Sequence, residues 1–308
     1  MGTTIPHHWS APDIPDLAGK RFLVTGATSG IGLAAAKQLV RKNGQVVITA
    51  RSVKKAELAI QEISSHLVNY LVMDLTDLRS VQTAAGQLDG DFDVVILNAG
   101  VMATPFSKTV DGFELQMGTN HLGHFAFAGL IKARIKERLI VVSSLAHKMG
   151  SFGDNSTQAI KSAALGLNSY QKWQAYGASK LANLLFVAEI ERLRVENDWS
   201  FIPIAVHPGY SDTNLQALSS QMRGAVIEEK LIKLINKIIA QPASRGALPT
   251  LAAAIFPDIV GGSFIGPDGC LEMRGDPKLA RVSALANNQD LAENLWRVSE
   301  ELTRVSWT

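Results

Sequence analysis

The fold of this chain is decided by the stretch Arg21-Phe22-Leu23-Val24-Thr25-Gly26-Ala27-Thr28-Ser29-Gly30-Ile31-Gly32. Its first half is a short apolar run, and its second half is a turn rich in glycine and small polar residues. An alanine-rich helical segment, Leu33 to Lys42, comes next, and Gly44 separates it from a second apolar run, Gln45 to Ala50. A strand, a glycine turn, a helix and a strand in this order form a βαβ unit, which requires a parallel sheet.

The glycines of the turn have the spacing G-x-x-x-G-x-G. Glycine at the passage from strand to helix lets backbone N–H groups approach a pyrophosphate, and the helix N-terminus adds partial positive charge there. Glycine-rich turns also occur for purely steric reasons, but the position of this one inside a βαβ unit favours a dinucleotide site. The residues that we predict to bind the cofactor here are Gly26, Thr28, Ser29, Gly30, Ile31 and Gly32.

The end of the second predicted strand indicates which dinucleotide is bound. It reads Ala50-Arg51-Ser52, with Lys54 and Lys55 just beyond and no carboxylate at the strand end. A site that prefers NAD usually has a carboxylate here for the ribose 2′-hydroxyl, whereas an arginine binds a 2′-phosphate through charge-assisted hydrogen bonds. We therefore predict NADP(H), with Arg51 as the main contact and Ser52 as a second. The alternative is a solvated basic turn before a helix.

Two further predicted strands end in small or acidic residues. Asn69 to Met73 is followed by Asp74, which contacts the adenine end of the cofactor, caps the helix that begins near Leu78, or does both. Phe92 to Leu97 is followed by Asn98-Ala99-Gly100, small residues against which a flat ring can lie. The carboxyl ends of strands are where open α/β sheets bind ligands.

Three more strands follow along the chain. Leu139 to Val142 leads into Ser143-Ser144, Phe201 to Val206 leads into His207-Pro208-Gly209, and Gly262 to Ile265 is a short seventh strand. These strands alternate with segments of helical pattern, which again favours βαβ units.

The predicted helix over Gly118 to Leu130 carries Asn120, His121 and His124. Two histidines three residues apart could bind a metal ion, but no further cluster of ligands accompanies them. We predict that both are packing or surface residues and that the protein has no metal site.

A second helix is predicted from Tyr176-Gly177-Ala178-Ser179-Lys180 and the apolar run after it. Residues four apart are neighbours on one face of a helix, so Lys180 can approach the Tyr176 hydroxyl. A nearby ammonium favours the phenolate and lowers the pKa of a tyrosine, which is about 10 when unperturbed. Such pairs are also common on solvated helix faces, so the pair alone does not establish a catalytic role.

Composition excludes several classes of function. The chain has 308 residues, 46% of them hydrophobic, and a net charge of +2, which gives no electrostatic reason to expect nucleic acid as a partner. One cysteine, Cys270, excludes an internal disulfide. The polar stretch Met1 to Lys20 shows no signal-peptide pattern, and no apolar window is long enough for a membrane span. We therefore expect a cytoplasmic protein.

No repeat, low-complexity tract or linker divides the chain. We predict an N-terminal arm over residues 1–20 and a single domain over residues 21–308. Substrate loops or a lid are expected at about 145–175 and 210–245. In the second of these, Val226 to Ala240 has amphipathic helical spacing, which is typical of a lid or core helix, with a membrane-surface role as the alternative.

Taken together, these motifs resemble those of the short-chain dehydrogenase/reductase family. They occur in order along nearly the whole chain, each at the end of a predicted strand or in a predicted helix. They are Thr25-Gly26-Ala27-Thr28-Ser29-Gly30-Ile31-Gly32, Asp74, Asn98-Ala99-Gly100, Asn120, Ser143-Ser144, Tyr176 with Lys180, and Pro208-Gly209.

The resemblance implies an α/β fold, a three-layer Rossmann-type doubly wound sheet of about seven mostly parallel strands with helices on both faces. It also implies a catalytic tetrad. Tyr176 would be the general acid or base, and Lys180 would lower its pKa and hold the nicotinamide ribose. Ser144 would hydrogen-bond the substrate oxygen, and Asn120 would hold a water in a proton relay. Further implied cofactor contacts are Asp74, Leu75, Asn98, Ala99, Gly100, Pro208, Gly209 and Thr213.

A closer resemblance is to the retinol-dehydrogenase-like and protochlorophyllide-reductase-like branch. It depends on Asn120-His121-Leu122-Gly123-His124-Phe125, on Ala175 to Asn183 and on Leu295 to Leu302. The residues expected to shape an apolar pocket, with core packing as the alternative, are Met102, Leu145, Met149, Phe152, Tyr210 and Leu215.

We therefore expect an NADP(H)-dependent oxidoreductase that interconverts a carbonyl and an alcohol on an apolar small molecule. The alternatives are reduction of a C=C bond on the same scaffold and a non-catalytic NADP(H)-binding redox sensor. The presence of all four tetrad residues argues against the sensor. Family members often form homo-oligomers through helices, but a C-terminal extension can cover such a face, so the oligomeric state is open.

Overall fold

Short apolar strands assemble into one sheet of eight strands in a computed structural model that describes residues 5–6, 8–211 and 240–307. The strands are β1 (Arg21–Val24), β2 (Gln45–Ala50), β3 (Val68–Val72), β4 (Phe92–Leu97), β5 (Ile135–Val142), β6 (Ile202–Val206), β7 (Phe264–Pro267) and β8 (Pro277–Leu279). Their order across the sheet is β3-β2-β1-β4-β5-β6-β7-β8. Strands β1 to β7 are parallel, and β8 pairs antiparallel with β7.

Helices connect the parallel strands. They are α1 (Gly30–Arg41), α2 (Val53–Ile63), α3 (Leu78–Gln87), α4 (Leu115–Met117), α5 (Gly123–Leu130), α6 (Thr157–Ala164), α7 (Lys172–Asn197), α8 (Ala243–Gly246), α9 (Leu248–Ile255) and α10 (Gln289–Thr303). A π-helix, Gly118–Leu122, lies between α4 and α5, and a 3-10 helix, Leu145–Met149, follows β5.

The sheet is covered on both faces because successive side chains of a strand point in opposite directions. In β4, Val94 and Ile96 belong to a hydrophobic cluster that includes α1 and α9. Val95 and Leu97 belong to a second cluster, which includes α3, α5, α7 and α10. Parallel sheets need helices on both faces for this reason. The predicted three-layer, doubly wound α/β architecture is confirmed.

The strand order reverses at β1: β2 and β3 lie on one side of it, and β4 and the later strands lie on the other. At such a switch point the connecting helices lie on opposite faces, and the crevice outside the carboxyl ends of the strands is open to a ligand. The glycine turn that follows β1 lies at this crevice, as do the segments that follow β4, β5 and β6. The fold therefore brings most of the predicted site residues to one edge of the sheet.

The sheet differs from the prediction at its far edge. The seventh strand is Phe264–Pro267, and an eighth, Pro277–Leu279, adds to the predicted seven. An eighth strand of three residues that begins with proline carries little sequence signal, because proline cannot donate to the ladder and is tolerated only at edges.

The helices differ from the prediction at their ends and at breaks. Helix α7 begins at Lys172, four residues before Tyr176. The single helix predicted over Gly118 to Leu130 begins as the π-helix and continues as α5. Helices α8 and α9 follow each other closely, and Pro249 lies in the first turn of α9, where its missing N–H is tolerated.

The segment 145–175, expected to be a substrate loop, contains the 3-10 helix Leu145–Met149, helix α6 and the start of α7. Ser156 caps α6 by accepting a hydrogen bond from the Ala159 N–H, and Ile160 of this helix is fully buried. Most of the other predicted lid, 210–245, lies outside the described residues, and so do Val226 to 239 and Thr213. Among the helices of the described segments, none has the length and apolar character needed to cross a bilayer.

Aromatic side chains from the C-terminal segment close one of the two hydrophobic clusters. Trp307 is 1% exposed and packs against Phe125, Phe186 and Trp296, with ring centroids 5.2 to 5.7 Å apart. Trp199 stands 5.9 Å from Trp307 on another side. The C-terminus is thus part of the core that supports α5 and α7.

Candidate active site

The glycine turn after β1 requires glycine at two positions for steric reasons. Gly26 has φ +66°, and a Cβ there would lie 2.7 Å from the Cβ of Ala99. A Cβ on Gly32 would clash with the side-chain amide of Asn98. Because these glycines let the turn pack closely on the end of β4, the predicted residues Gly26, Gly32, Asn98 and Ala99 form one contiguous surface.

Helix α1 presents an open N-terminus to this surface. Ser29 is its N-cap residue, but the Ser29 side chain makes no capping hydrogen bond. The first N–H groups of a helix have no partner within the helix. They include those of Gly30, Ile31 and Gly32, next to Thr28, and they form a cradle of donors that suits a pyrophosphate.

Thr25 organises the turn, although sequence analysis did not select it as a site residue. Its side chain is fully buried, and its Oγ1 accepts hydrogen bonds from the N–H groups of Asn98 and Ala99 at 2.9 and 3.0 Å. Oγ1 also lies 2.9 Å from Nε2 of His124. A threonine between an apolar strand and the first glycine of the turn was the available signal. Thr25 joins the ends of β1 and β4 to α5.

Arg51 and Ser52 lie at the carboxyl end of β2, and both are exposed. Ser52 is the N-cap of α2 and makes no side-chain capping bond. Both side chains are therefore open to solvent, as a contact with a phosphate requires, and they follow the strand that pairs with β1.

Asp74 lies after β3 and does not cap the following helix. Its Oδ1 accepts hydrogen bonds from the N–H and the hydroxyl of Thr76 at 2.9 and 2.8 Å. The N-cap of α3 is Asp77, which accepts from Arg79 and Ser80. The capping role considered for Asp74 is therefore wrong, because the helix begins at Leu78 as predicted and its N-cap position is occupied by Asp77. The Leu75 side chain is buried in the hydrophobic cluster.

Asn120 lies in the π-helix and is fully buried. Its Oδ1 accepts from the Val101 N–H at 2.8 Å, and its Nδ2 donates to the Val101 carbonyl and to the Ser179 hydroxyl, each at 2.9 Å. The side chain thus joins the loop after β4 to α7. π-helical turns inside α-helices are frequent at functional sites.

Tyr176, Lys180 and Ser144 meet where β5 and α7 approach each other. Tyr176 is 7% exposed, and a side-chain hydrogen bond joins it to Ser144. Lys180 Nζ lies 5.8 Å from the centre of the Tyr176 ring and donates to the Val142 carbonyl at 2.9 Å. A Cβ on Gly100 would lie 3.6 Å from Nζ and 3.0 Å from Asn120 Oδ1. All four residues of the predicted tetrad are therefore assembled in one place.

Burial and one hydrogen bond act on the pKa of Tyr176 in opposite directions. Burial raises the pKa of the Tyr176 hydroxyl, and the hydrogen bond from Ser144 opposes this rise. Burial also lowers the pKa of Lys180 to about 8, so its ammonium is still protonated at pH 7. For Tyr176, loss of solvent outweighs the hydrogen bond from Ser144. That Lys180 lowers the Tyr176 pKa stays a prediction from the sequence.

The two histidines near Asn120 are buried, as predicted for packing residues. Burial lowers the pKa of His121 to about 3 and that of His124 to about 4. His121 Nε2 lies 2.8 Å from the hydroxyl of Ser299 in α10. Both rings are therefore neutral under ordinary conditions and part of the core.

The turn after β6 completes the edge of the site. Gly209 has φ +65°, and a Cβ there would clash with the Met273 carbonyl. The Pro208 carbonyl accepts from the side chains of Ser211 and Gln241 at 2.9 and 2.7 Å. Pro208 and Gly209 therefore form a tightly held turn beside Ser144.

The apolar side chains predicted to form a pocket differ in their exposure to solvent. Of the predicted pocket residues, Met149 is 57% exposed, whereas Phe152 is buried in the hydrophobic cluster. Leu215 lies outside the described residues. Trp173, which sequence analysis missed, is 48% exposed and packs edge-on to Tyr176 with ring centroids 6.2 Å apart.

Comparison with known proteins shows which family this chain is similar to. Residues 20–224 match the family model of the short chain dehydrogenases. Retinol dehydrogenase 11 of Homo sapiens is 37% identical and retinol dehydrogenase 12 of Mus musculus 35% identical. These alignments cover 93% and 94% of this chain and 86% and 88% of the two relatives.

Solved structures agree with the sequence comparisons. An uncharacterized protein from Mycobacterium Paratuberculosis is 36% identical, with a TM-score of 0.81 over 97% of this chain and 99% of its own. A short chain dehydrogenase/reductase family protein is 25% identical, with a TM-score of 0.58 over 81% of this chain and 95% of its own. The chain therefore belongs to the short-chain dehydrogenase/reductase family, whose members are oxidoreductases that bind a nicotinamide cofactor, and it is similar to the retinol dehydrogenases within that family.

Proposed function

We propose that this protein is an NADP(H)-dependent oxidoreductase that interconverts a carbonyl and an alcohol on an apolar small molecule. The observation that carries the proposal is the meeting of Ser144, Tyr176 and Lys180 beside Gly100 at the carboxyl edge of the sheet. A phenol, a hydroxyl and an ammonium at one place can bind an oxygen atom, supply it with a proton and stabilise negative charge on it.

The residues at the switch point fit a dinucleotide. The uncapped N-terminus of α1 supplies donors for a pyrophosphate. Gly26 and Gly32 have no side chains that protrude from the turn at these two positions. Asn98, Ala99, Gly100, Pro208 and Gly209 would border the nicotinamide end, with Asp74 towards the adenine. We infer that Lys180 holds the nicotinamide ribose.

The proposed reaction gives each polar side chain one task. The nicotinamide, when bound, supplies or accepts the hydride. Ser144 hydrogen-bonds the substrate oxygen, and Tyr176 gives that oxygen a proton during reduction and takes it back during oxidation. Asn120 holds the loop after β4 against α7, and the second lone pair of its Oδ1 remains for a water.

The preference for NADP(H) follows from charge. Arg51 is exposed at the carboxyl end of β2, and the chain has no carboxylate at that strand end. A guanidinium binds a 2′-phosphate through paired, charge-assisted hydrogen bonds, and a carboxylate would repel it.

An apolar substrate is supported by the side chains next to the reacting hydroxyls. Trp173 packs against Tyr176 and is 48% exposed, and Met149, at the end of the 3-10 helix that Ser144 caps, is 57% exposed. The similar proteins named above are retinol dehydrogenases, whose name refers to a long apolar alcohol. A single domain over 21–308 and a cytoplasmic location remain predictions from the sequence, and the oligomeric state stays open.

The experiment that tests the proposal is a screen of NADPH oxidation with aliphatic aldehydes, aromatic ketones, steroid ketones and retinal. We expect turnover with at least one apolar carbonyl and formation of its alcohol, identified by mass spectrometry. Reduction of an enone at its C=C bond, with the carbonyl intact, would replace carbonyl reduction as the activity. NADPH binding with no turnover of any class would contradict the proposal.

A further inference from the structure

A buried histidine that takes no part in the proposed reaction lies directly behind Ser144. His147 belongs to the 3-10 helix Leu145–Met149, for which Ser144 is the N-cap residue. Its side chain is fully buried, and its Nδ1 lies 2.7 Å from the backbone oxygen of Ser144. The backbone N–H of His147 donates to the same oxygen at 3.1 Å. One residue therefore binds the Ser144 carbonyl twice.

The other ring nitrogen determines where the proton of this imidazole lies. His147 Nε2 is 3.2 Å from the backbone N–H of Ser283, a group that can only donate. Nε2 must therefore accept, and a neutral ring that accepts at Nε2 carries its proton on Nδ1. Burial lowers the pKa of His147, which keeps the ring neutral. The contact with Ser144 is thus a hydrogen bond donated by Nδ1–H to the carbonyl.

Packing fixes the orientation of the ring. Phe264 of β7 meets the His147 ring edge to face, with centroids 5.5 Å apart and an angle of 90° between the planes. The His147 carbonyl accepts from the Gly150 N–H at 3.0 Å, which anchors the backbone on the far side. The ring cannot rotate away from Ser144 without losing both Phe264 and Ser283.

The backbone of Ser144 sets the direction of its hydroxyl. Ser144 Oγ accepts from the Ala146 N–H at 3.2 Å, which leaves its hydroxyl hydrogen for Tyr176 or a substrate oxygen. If the Ser144 carbonyl moves, the hydroxyl moves with it. A misplacement of about 1 Å in a reacting group costs a rate factor on the order of 100.

We propose that His147 is a positioning residue for the carbonyl–alcohol reaction, in which its neutral Nδ1–H form binds the Ser144 carbonyl and so directs the Ser144 hydroxyl at Tyr176 and the substrate oxygen. This inference rests on the function proposed above for Ser144. It adds a link from the reacting hydroxyl through His147 to the C-terminal segment at Ser283.

Two substitutions separate the two hydrogen bonds of the ring. His147→Asn keeps a side-chain amide near the position of Nδ1, and His147→Gln extends the amide towards the position of Nε2 and loses the donor to Ser144. We expect the Gln variant to lower kcat about 10- to 100-fold while the Kd for NADPH stays within about twofold, and the Asn variant to remain within about threefold of wild type. His121→Gln, at another buried histidine, is the matched control and should leave kcat near that of wild type.

A wild-type kcat in the Gln variant would overturn the inference. So would equal losses in the Asn and Gln variants with a raised Kd for NADPH, because that pattern indicates a purely structural role. NMR of isotope-labelled histidine in the wild-type protein tests the hydrogen bond without turnover, with the His147 signal assigned by its loss in the Asn variant. We expect the proton on Nδ1, and a proton on Nε2 would contradict the inference. A wild type without carbonyl or alcohol turnover would instead contradict the proposed function.

Discussion

At Tyr176, burial and hydrogen bonding act on one hydroxyl in opposite directions. Burial raises the pKa and keeps the phenol protonated, and the bond from Ser144 opposes the rise. A protonated phenol is the form that can give a proton to a carbonyl oxygen as negative charge develops there. Tyr176→Phe removes that proton and preserves the ring that packs against Trp173.

We therefore expect Tyr176→Phe to lower the rate of carbonyl reduction by about 10²- to 10⁴-fold while NADPH affinity changes little. Steady-state kinetics measure the first quantity, and quenching of tryptophan fluorescence by NADPH measures the second. Turnover close to wild type would remove Tyr176 as the proton donor.

Lys180 is a buried ammonium whose desolvation has a consequence for stability. Burial lowers its pKa to about 8 from an ordinary value of 10.5. Between these two pH values the unfolded chain holds a proton that the folded chain has released, so the free energy of unfolding rises with pH across this window.

Lys180→Met should stabilise the fold at pH 7 by about 1–3 kcal/mol and abolish turnover, because it removes a desolvated charge. The Val142 carbonyl keeps a donor, Asn183 Nδ2 at 3.0 Å. Urea unfolding at pH 7 and at pH 10 measures the effect, with Lys136→Met, a half-exposed lysine, as the control. A Lys180→Met variant that is less stable than wild type at pH 7 would contradict the argument. So would a variant whose free energy of unfolding rises from pH 7 to pH 10 by as much as that of wild type.

Arg51 is the residue that we propose distinguishes NADPH from NADH. We expect wild type to bind NADPH more tightly than NADH. Arg51→Ala should weaken NADPH binding by about 10- to 100-fold, the value of one or two charge-assisted hydrogen bonds, and leave NADH binding nearly unchanged. Calorimetric titration with both cofactors measures this, and NADH, which lacks the 2′-phosphate, is the internal control. Equal affinities in wild type would refute the NADP(H) assignment.

At the residue scale, the sequence was informative where a side chain acts through its own chemistry. Tyr176, Lys180, Ser144 and Asn120 could be chosen because their residue types and spacing resemble a known reaction. Thr25, His124 and His147 were not chosen, because their importance lies in hydrogen bonds to residues 73 to 99 positions away or to a neighbouring backbone carbonyl. Such contacts leave no periodic pattern in the chain.

Helices and strands were predictable where burial imposes a periodic pattern of apolar residues on the sequence. β4 was predicted with the correct ends because, apart from Asp93, Phe92 to Leu97 is apolar on both faces, as a central parallel strand requires. The π-turn at Gly118–Leu122 was not, since it differs from an α-helix by one residue per turn and has the same apolar pattern. The edge strand Pro277–Leu279 is set by pairing with β7 and not by its own sequence.

Two glycines in different elements give a prediction at this scale. Gly26 combines φ +66° with a Cβ position 2.7 Å from Ala99, whereas a Cβ on Gly86, in α3, would have no neighbour within 4 Å. Gly26→Ala should destabilise the protein by about 1–3 kcal/mol and weaken cofactor binding, because the turn can no longer pack on β4. Gly86→Ala should be neutral or stabilise by up to about 1 kcal/mol through the higher helix propensity of alanine. Thermal unfolding of both variants, with and without NADPH, measures these effects, and equal stabilities would contradict them.

At the scale of the whole molecule, the two hydrophobic clusters connect the site to the C-terminus. One cluster runs from β4 and β5 through α5 and α7 to Trp296 and Trp307. Helix α7 carries Tyr176 and Lys180 on its first turns and packs against α10 further along. The cluster therefore supports the helix that carries Tyr176 and Lys180, and its last member, Trp307, lies one residue before the end of the chain.

Substitutions of two tryptophans test the stability of this core and the chemistry of the site separately. Trp307 is 1% exposed and Trp173 is 48% exposed. Trp307→Ala should lower the free energy of unfolding by about 3–5 kcal/mol, the usual cost of truncating a buried aromatic residue, with kcat preserved in the molecules that remain folded. Trp173→Ala should change stability by less than about 0.5 kcal/mol, as at other surface positions, and raise KM for an apolar substrate. Urea unfolding of both variants measures the free energy of unfolding, and steady-state kinetics measure kcat and KM. If Trp307→Ala unfolds as wild type does, the C-terminal segment is not part of the core that supports α7.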